Sequence, residues 1–411
     1  MPIEVRNVRT EDEFDRWCDA IDVGFQAPYN RGDGRRRRPR YPDLGRTWSA
    51  FDGDDIVGTL VSLPMELTMP GLRRISLDGI SAVTVAPTHR RQGVLSRMMA
   101  AGLTEAKERG DAVAGLVAAE YPIYGRFGFG PATEAAQWTV DARNLRFRRD
   151  LPGRMELVDA DTALAEAPAL YDRVRAGLPG AVTRERWRWA RDTGHDRPEG
   201  SPPPKDKLHA LCRDEAGQVV GYVEYRFTER WTNQRPNNSI QASNLVALNP
   251  LYEARLWKFL TDHDWVTEVV GPDQDRFDPL WRDLLVDRRM AVAGDAWDFL
   301  WLRVLDPAAY LSARTYAKAD RLVLRIEDKS GFARGDYAIE SGADGSGECV
   351  PCQDAPDLAL PVDVLGSISL GGYSPSRYRA LELVEEYTPG AADRLTTMFS
   401  TSLAPHSPMI F

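Results

Sequence analysis

Cysteine and histidine are scarce in this chain, and positive charge is not in excess. Four cysteines among 411 residues, at positions 18, 212, 349 and 352, are too few and too unevenly spaced for a disulfide framework. Cys349 and Cys352 form a lone C-x-x-C. No second pair completes a zinc site and no thioredoxin-like strand–motif–helix setting surrounds it, so it reads as an incidental pair in a turn region, and no metal is expected. No apolar run approaches the roughly 20 residues that a membrane-spanning helix needs. Residues 1–10 read as a short strand and not as a signal peptide, which makes the cytoplasm the expected compartment. A formal charge of −9 argues against a nucleic-acid surface, which needs a basic field. It suits a cationic partner better, because acidic clefts concentrate amines.

What is present is enough for more than one core. Domains usually run about 100–200 residues, so two or three are expected, and the eleven Trp with many aliphatics supply their interiors. Alternation over residues 3–8 predicts a strand. Residues 11–25 predict a helix, with Thr10 as N-cap and Glu13 three residues on. The basic stretch at 31–40, RGDGRRRRPR, reads as a solvated loop. A hairpin is expected from residues 48–52 and 56–63 about the turn Gly53-Asp54-Asp55. Further strands are expected at 65–70 and 73–85. A helix is expected over 94–109, where Leu95, Met98, Met99, Leu103 and Ala106 share one face. A buried strand is expected at 112–119, and a Gly- and aromatic-rich loop at 121–130.

The pattern then partly recurs. Residues 211–225, LCRDEAGQVVGYVEY, echo residues 49–61, SAFDGDDIVGTLV: strand, polar turn, then a strand carrying Val-Gly. Residues 245–248 and a helix at 251–260 echo 83–85 and the helix at 94. Asn249-Pro250-Leu251 stands where the first copy has a Gly-rich loop, so the second copy lacks that loop's capacity. Pro202–Pro204 marks a long loop inside it. From about residue 296 short strands and Gly/Asp turns give way to helices at 361–369 and 391–400. The expected organisation is therefore α/β (α+β), with domains at 1–148, 149–295 and 296–411. The apolar tail Ser407-Pro-Met-Ile-Phe411 is expected to be buried, although chain ends usually fray.

The stretch that carries chemistry is SAVTVAPTHRRQGVLS, residues 81–96. A strand runs into a basic loop containing Gly93, and a helix begins at once. The first turn of a helix offers unpaired N–H groups and a positive dipole end to a pyrophosphate. Gly93 lets the backbone approach the phosphate oxygens, and Arg90 and Arg91 add charge. The loop is neither a Walker A, lacking Gly-Lys-Ser/Thr, nor a Rossmann G-x-G-x-x-G.

VTVAPTHRRQGVLSRMM resembles motif A of the GNAT acetyltransferases, Q/R-x-x-G-x-G/A, with Leu95 in place of the final small residue. With IYGRFGFGPAT at residues 123–133, the chain resembles more narrowly the enhanced intracellular survival (Eis) family. That resemblance implies two tandem GNAT folds, the second degenerate, and a C-terminal domain like a sterol carrier protein. It implies an acetyl-CoA-dependent N-acetyltransferase acting on cationic amines of aminoglycoside or lysine type, assembled as a homohexamer. The matched cofactor-binding positions are Val83, Thr84 and Val85 on the strand, Arg91, Gln92, Gly93, Val94, Leu95 and Ser96 at the loop and helix start, and Ala119 and Glu120 beyond the next strand. The matched general acid is Tyr124. The matched general base is the terminal carboxylate of Phe411.

The implied chemistry is direct attack of an amine on the thioester through a tetrahedral intermediate, with an oxyanion held near Val85. A base in reach must take the amine proton. A free α-carboxylate titrates near about 3.5, so it must act through geometry or be raised by burial. Glu120 is the side-chain rival for that role or for recognising the substrate, and His89 reads as structural. A hydrophobic-ligand carrier built on the third domain and a CoA-binding scaffold without turnover are the competing functions.

Overall fold

The computed structural model describes residues 3–27, 32, 34, 43–197, 206–273, 275–276 and 278–411. The basic stretch at 31–40 (Gly32 and Gly34 apart) and the Pro202–Pro204 loop lie outside them. The chain divides into two compact units, one of Met1–Thr133, Phe299–Pro405 and Phe411, the other of Glu134–Asp298 and His406–Ile410.

The first unit opens with strand β1 (Glu4–Asn7) and helix α1 (Glu11–Gly24). Thr10 caps α1 by accepting from the Glu13 amide at 3.1 Å, while the Glu13 carboxylate accepts from the amide of Arg9. A single apolar stripe of Phe14, Trp17, Cys18 and Ile21 turns inward. Strands β2 (Thr47–Asp52) and β3 (Asp55–Thr68) form the expected hairpin. No break falls at Pro64: β3 runs through it, so residues 65–68 belong to this long strand and are not a separate one. Strand β4 (Arg74–Val85), helix α2 (Val94–Glu108) and strand β5 (Val113–Val117) follow. Residues 121–130 are not all loop. A helical turn, α3 (Tyr121–Tyr124), leads into a 3-10 turn, Gly125–Phe127.

These strands form a seven-stranded sheet in the order β1-β2-β3-β4-β5, then Leu300–Val304, then Gly130–Pro131. Only β4 and β5 pair in parallel. Leu300–Val304, grouped with the C-terminal residues by composition, is fully buried here against β5. Met98, Met99, Leu103 and Ala106 of α2 pack on Leu60, Ile80 and Leu116. The same unit contains a five-stranded sheet ordered Gly347–Pro351, Gly335–Ser341, Asp320–Glu327, Leu358–Pro361 and Glu385–Glu386, with helices Val362–Ile368 and Ala391–Phe399. Cys349 sits on its edge strand and not in a turn, and both Cys349 and Cys352 are free thiols.

The second unit is built on an eight-stranded sheet. Its hairpin Lys207–Arg213 and Val219–Thr228, strand Asn238–Ala247 and helix Pro250–Thr261 reproduce the expected echo of β2, β3, β4 and α2. The side chain of Asn249 accepts from the amides of Leu251 and Tyr252 at 3.0 and 3.1 Å, so this helix start is closed by its own cap. In the same unit the tail segment is held by His406 N–H donating to the Pro179 carbonyl at 2.8 Å and Arg188 Nη1 donating to the Ile410 carbonyl at 2.9 Å. Among the described residues no helix is long and apolar enough to cross a membrane.

Candidate active site

The site begins where β4 and β5 part. Their pairing covers only Leu77–Gly79 against Val113–Gly115, so the β5-facing edge of β4 carries no partner strand at Val83, Thr84 and Val85. Buried sheet edges need partners, and an unpaired one is a row of donors and acceptors offered to a ligand. The opposite edge stays paired with β3, but its register shifts between Thr59 and Val61. The irregularity centres on Ala82, whose φ of +49° is unusual for a residue with a side chain. Thr59 Oγ1 donates to the Ala82 carbonyl at 2.8 Å and lies 2.7 Å from Thr84 Oγ1. Gly24 of α1 packs so closely that an added Cβ would fall 2.3 Å from Thr84 Cβ.

Beyond Val85, a 3-10 turn at Pro87–His89 and two residues of positive φ, Arg91 (+64°) and Gly93 (+76°), bring the chain to α2. Gly93 is the N-cap and supplies no side chain, and the first turn of α2 contains no acidic residue. The first-turn amides therefore keep their donors and their positive end of the helix dipole. Nothing lies within 4 Å of a Cβ built on Gly93. Arg90 is drawn back by contacts of 3.4 Å with the carbonyls of Val85 and Gly24.

Together these elements enclose a cavity of about 560 Å³. Every residue expected to hold the cofactor lines it except Gln92, whose amide turns away to donate to the Thr88 carbonyl at 3.2 Å. Tyr124 lines it from α3, buried and edge-on to Phe129. Burial, with the Glu120 carboxylate adding to it, pushes the Tyr124 phenol up to about 12. Glu120 is the one carboxylate in the described lining. Asp19 is occupied elsewhere, accepting from the amides of Gly32 and Gly34. His89 contacts Thr88 Oγ1 at 2.8 Å and Asp52 at 3.3 Å.

Phe411 is not part of this lining. Its side chain is buried against the middle of β4, where a Cβ on Gly79 would lie 3.3 Å from its ring edge. Four contributors were not among the expected site residues: Gly24, Phe25, Ile123 and Arg126. Ile123 and Arg126 left a signal, standing one residue before and two after the tyrosine in IYGRFG. The cavity suits acetyl-CoA: an uncapped helix start and Arg91 for the diphosphate, and an open strand edge for the pantetheine amides.

Comparison with known proteins agrees with this geometry. Residues 4–132 and 180–304 each match an acetyltransferase (GNAT) domain family, and residues 307–408 match a sterol carrier protein domain family. An uncharacterized N-acetyltransferase of Streptomyces avermitilis is 39% identical, covering 100% of this chain and 99% of that protein. The N-acetyltransferase Eis of Mycobacterium tuberculosis is 32% identical over 86% of this chain and 85% of its own length. The crystal structure of Eis1 from Mycobacterium abscessus superposes with a TM-score of 0.85 at 27% identity, over 99% of this chain and all of that one. Two GNAT domains followed by a sterol carrier domain define an N-acetyltransferase, and the GNAT fold implies acetyl-CoA as its acyl donor. The chain belongs to the Eis family of N-acetyltransferases.

Proposed function

We propose that this enzyme transfers acetyl directly to a primary amine of a cationic acceptor, of aminoglycoside or lysine-side-chain type, with Tyr124 as general acid and the Phe411 carboxylate as general base. The observation that carries the reading is the meeting, in one cavity, of an open β4 edge, an uncapped α2 and a buried phenol. Val83–Val85 orient the donor's pantetheine arm, and Arg91, Gly93 and the first turn of α2 hold its diphosphate. Acetyl-CoA, when bound, supplies a thioester carbonyl open to a nitrogen nucleophile. Tyr124 keeps its proton at neutral pH and donates it to the departing sulfur. Glu120 stands at the cavity wall to attract the ammonium form of the acceptor.

Family membership supports a cytoplasmic homohexamer, which sedimentation would test. The decisive experiment is acetyl-CoA turnover on a panel of aminoglycosides, polyamines and lysine peptides, read as free thiol. Release of thiol with none of them would end the amine-transfer reading. One residue added after Phe411 should abolish turnover without loss of acetyl-CoA binding, and full activity would remove the end carboxylate from the mechanism.

A further inference from the structure

A larger cavity, about 870 Å³, lies in the same unit and is lined in part by Gly125, Arg126 and Gly128, beside the Gly125–Phe127 turn. Its walls are that turn, residues 325–330 at the end of strand Asp320–Glu327, residues 334–336, and the start of helix Val362–Ile368. The volume is within the range of small-molecule sites, about 300–1,000 Å³. Ile326 and Val362 give it apolar surface.

Its charges do not cancel. Arg325 is held by Asp336 through two hydrogen bonds of 2.8 and 2.9 Å. Asp328 is taken by buried Arg303 at 2.7 Å and by the Ala333 amide at 2.9 Å. The Asp363 carboxyl accepts from backbone amides at its helix start, while burial pushes its pKa up. Arg126, Lys329 and Arg334 remain, none in an ion pair among the described residues, against the two carboxyl groups of Glu327 and Asp363, so the cations are in excess. Three cations around an apolar floor repel one another until an anion enters.

Two features connect this cavity to the catalytic one. Arg126 lines both. Arg303, which grips Asp328 in the wall, also donates from Nε to the Phe127 carbonyl at 2.8 Å, three residues after Tyr124. We propose that this cavity binds a small amphipathic anion, a carboxylate or phosphate head on an apolar body, and that its occupant competes with coenzyme A for Arg126. The binding half does not depend on the acetyl-transfer reading. By linkage, each ligand must weaken the other by the same factor.

The test uses the full-length protein with octanoate, octyl phosphate and octyltrimethylammonium in calorimetry. One or both anions should bind, and their relative affinity identifies the preferred head group; the cation should not bind. The double variant Lys329→Glu/Arg334→Glu should bind the anions at least about tenfold more weakly, a difference of about 1.4 kcal/mol, with basal turnover unchanged. On the unaltered protein, octanoate should also protect Lys329 from an amine-reactive label read by peptide mass spectrometry. Arg126→Ala should make the affinities for octanoate and coenzyme A independent. No binding of either anion, or binding that neither shields Lys329 nor responds to the double variant, overturns the site. Binding with no effect on coenzyme A affinity overturns the coupling.

Discussion

The hydroxyl of Thr59 is bonded to the carbonyl of Ala82, the residue of β4 whose φ is positive. This clamp holds the irregularity immediately before Val83, Thr84 and Val85. Thr59→Val keeps the shape and removes the donor, leaving a carbonyl and the Thr84 hydroxyl short of a partner. The loss of a buried hydrogen bond costs about 1–3 kcal/mol, so coenzyme A affinity measured by calorimetry should fall about tenfold or more. Thr59→Ser should restore it. Ala82→Gly should also rescue Thr59→Val, because glycine adopts positive φ without steric cost. Unchanged affinity in Thr59→Val would show that the bulge needs no clamp.

Tyr124 stays protonated far above neutrality, since burial and Glu120 raise its pKa to about 12. Tyr124→Phe should lower kcat by about 10²–10⁴, the usual contribution of a general acid, while coenzyme A affinity is retained. The pH dependence has a definite sign. Turnover should show no alkaline loss from this group until the pH nears 12, and Glu120→Gln, by removing the negative neighbour, should move that loss downward. Stopped-flow thiol release across pH, on wild type and both variants, checks each statement; a kcat equal to wild type in Tyr124→Phe would assign the proton to another donor.

Local pattern carried much of this site. Gly93 before an apolar helical stripe, and Thr10 before another, are signals spanning a few residues, and both elements formed where they pointed. The Asn249 cap explains why the second copy cannot offer the same helix start, and that too was written in Asn249-Pro250-Leu251. What the sequence hid are meetings of distant segments. Nothing near Leu300–Val304 says that it pairs with Val113–Val117, because a short apolar strand does not name its partner. The same holds for Thr59 beneath Ala82, and for Arg126 between two cavities. The strand expected at residues 65–70 was set apart from the one at 56–63, yet Pro64 between them pairs with Asp78 and β3 continues unbroken to Thr68.

Asp78 supplies a stability test independent of catalysis. It is buried in β4, accepts from Ser62 and from Arg109 at 3.0 Å, and has a second oxygen with no hydrogen-bond partner among the described residues. Burial, opposed by these contacts, raises its carboxyl from 3.8 to about 6. A carboxyl raised on folding stabilises most below its unfolded pKa, and that contribution is lost as pH rises through the folded one. Wild type should therefore lose about 3 kcal/mol from this group between pH 4 and 6, at roughly 1.4 kcal/mol per pH unit. Asp78→Asn should lack that slope. Urea unfolding at several pH values measures both, and parallel curves for the two proteins would refute the raised pKa.

Gly93 and Gly128 share nearly the same backbone angle, φ of +76° and +83°, but not the same surroundings. A Cβ on Gly93 meets nothing within 4 Å, whereas one on Gly128 would stand 2.6 Å from Arg303 Nε and 2.8 Å from Val362 Cγ1. Both substitutions by alanine carry the strain of a left-handed residue, about 1–2 kcal/mol. Only Gly128→Ala must also displace a buried guanidinium that bonds Phe127 and Asp328, which adds about 1–3 kcal/mol of overpacking. Gly128→Ala should thus lower the melting temperature markedly. Gly93→Ala should lower it much less and instead weaken coenzyme A binding, because its added methyl enters the space that the proposed diphosphate site requires. Melting curves and calorimetry on the two variants separate a glycine kept for packing from one kept for a ligand. A Gly93→Ala protein that binds coenzyme A as tightly as wild type would break the assignment of that loop.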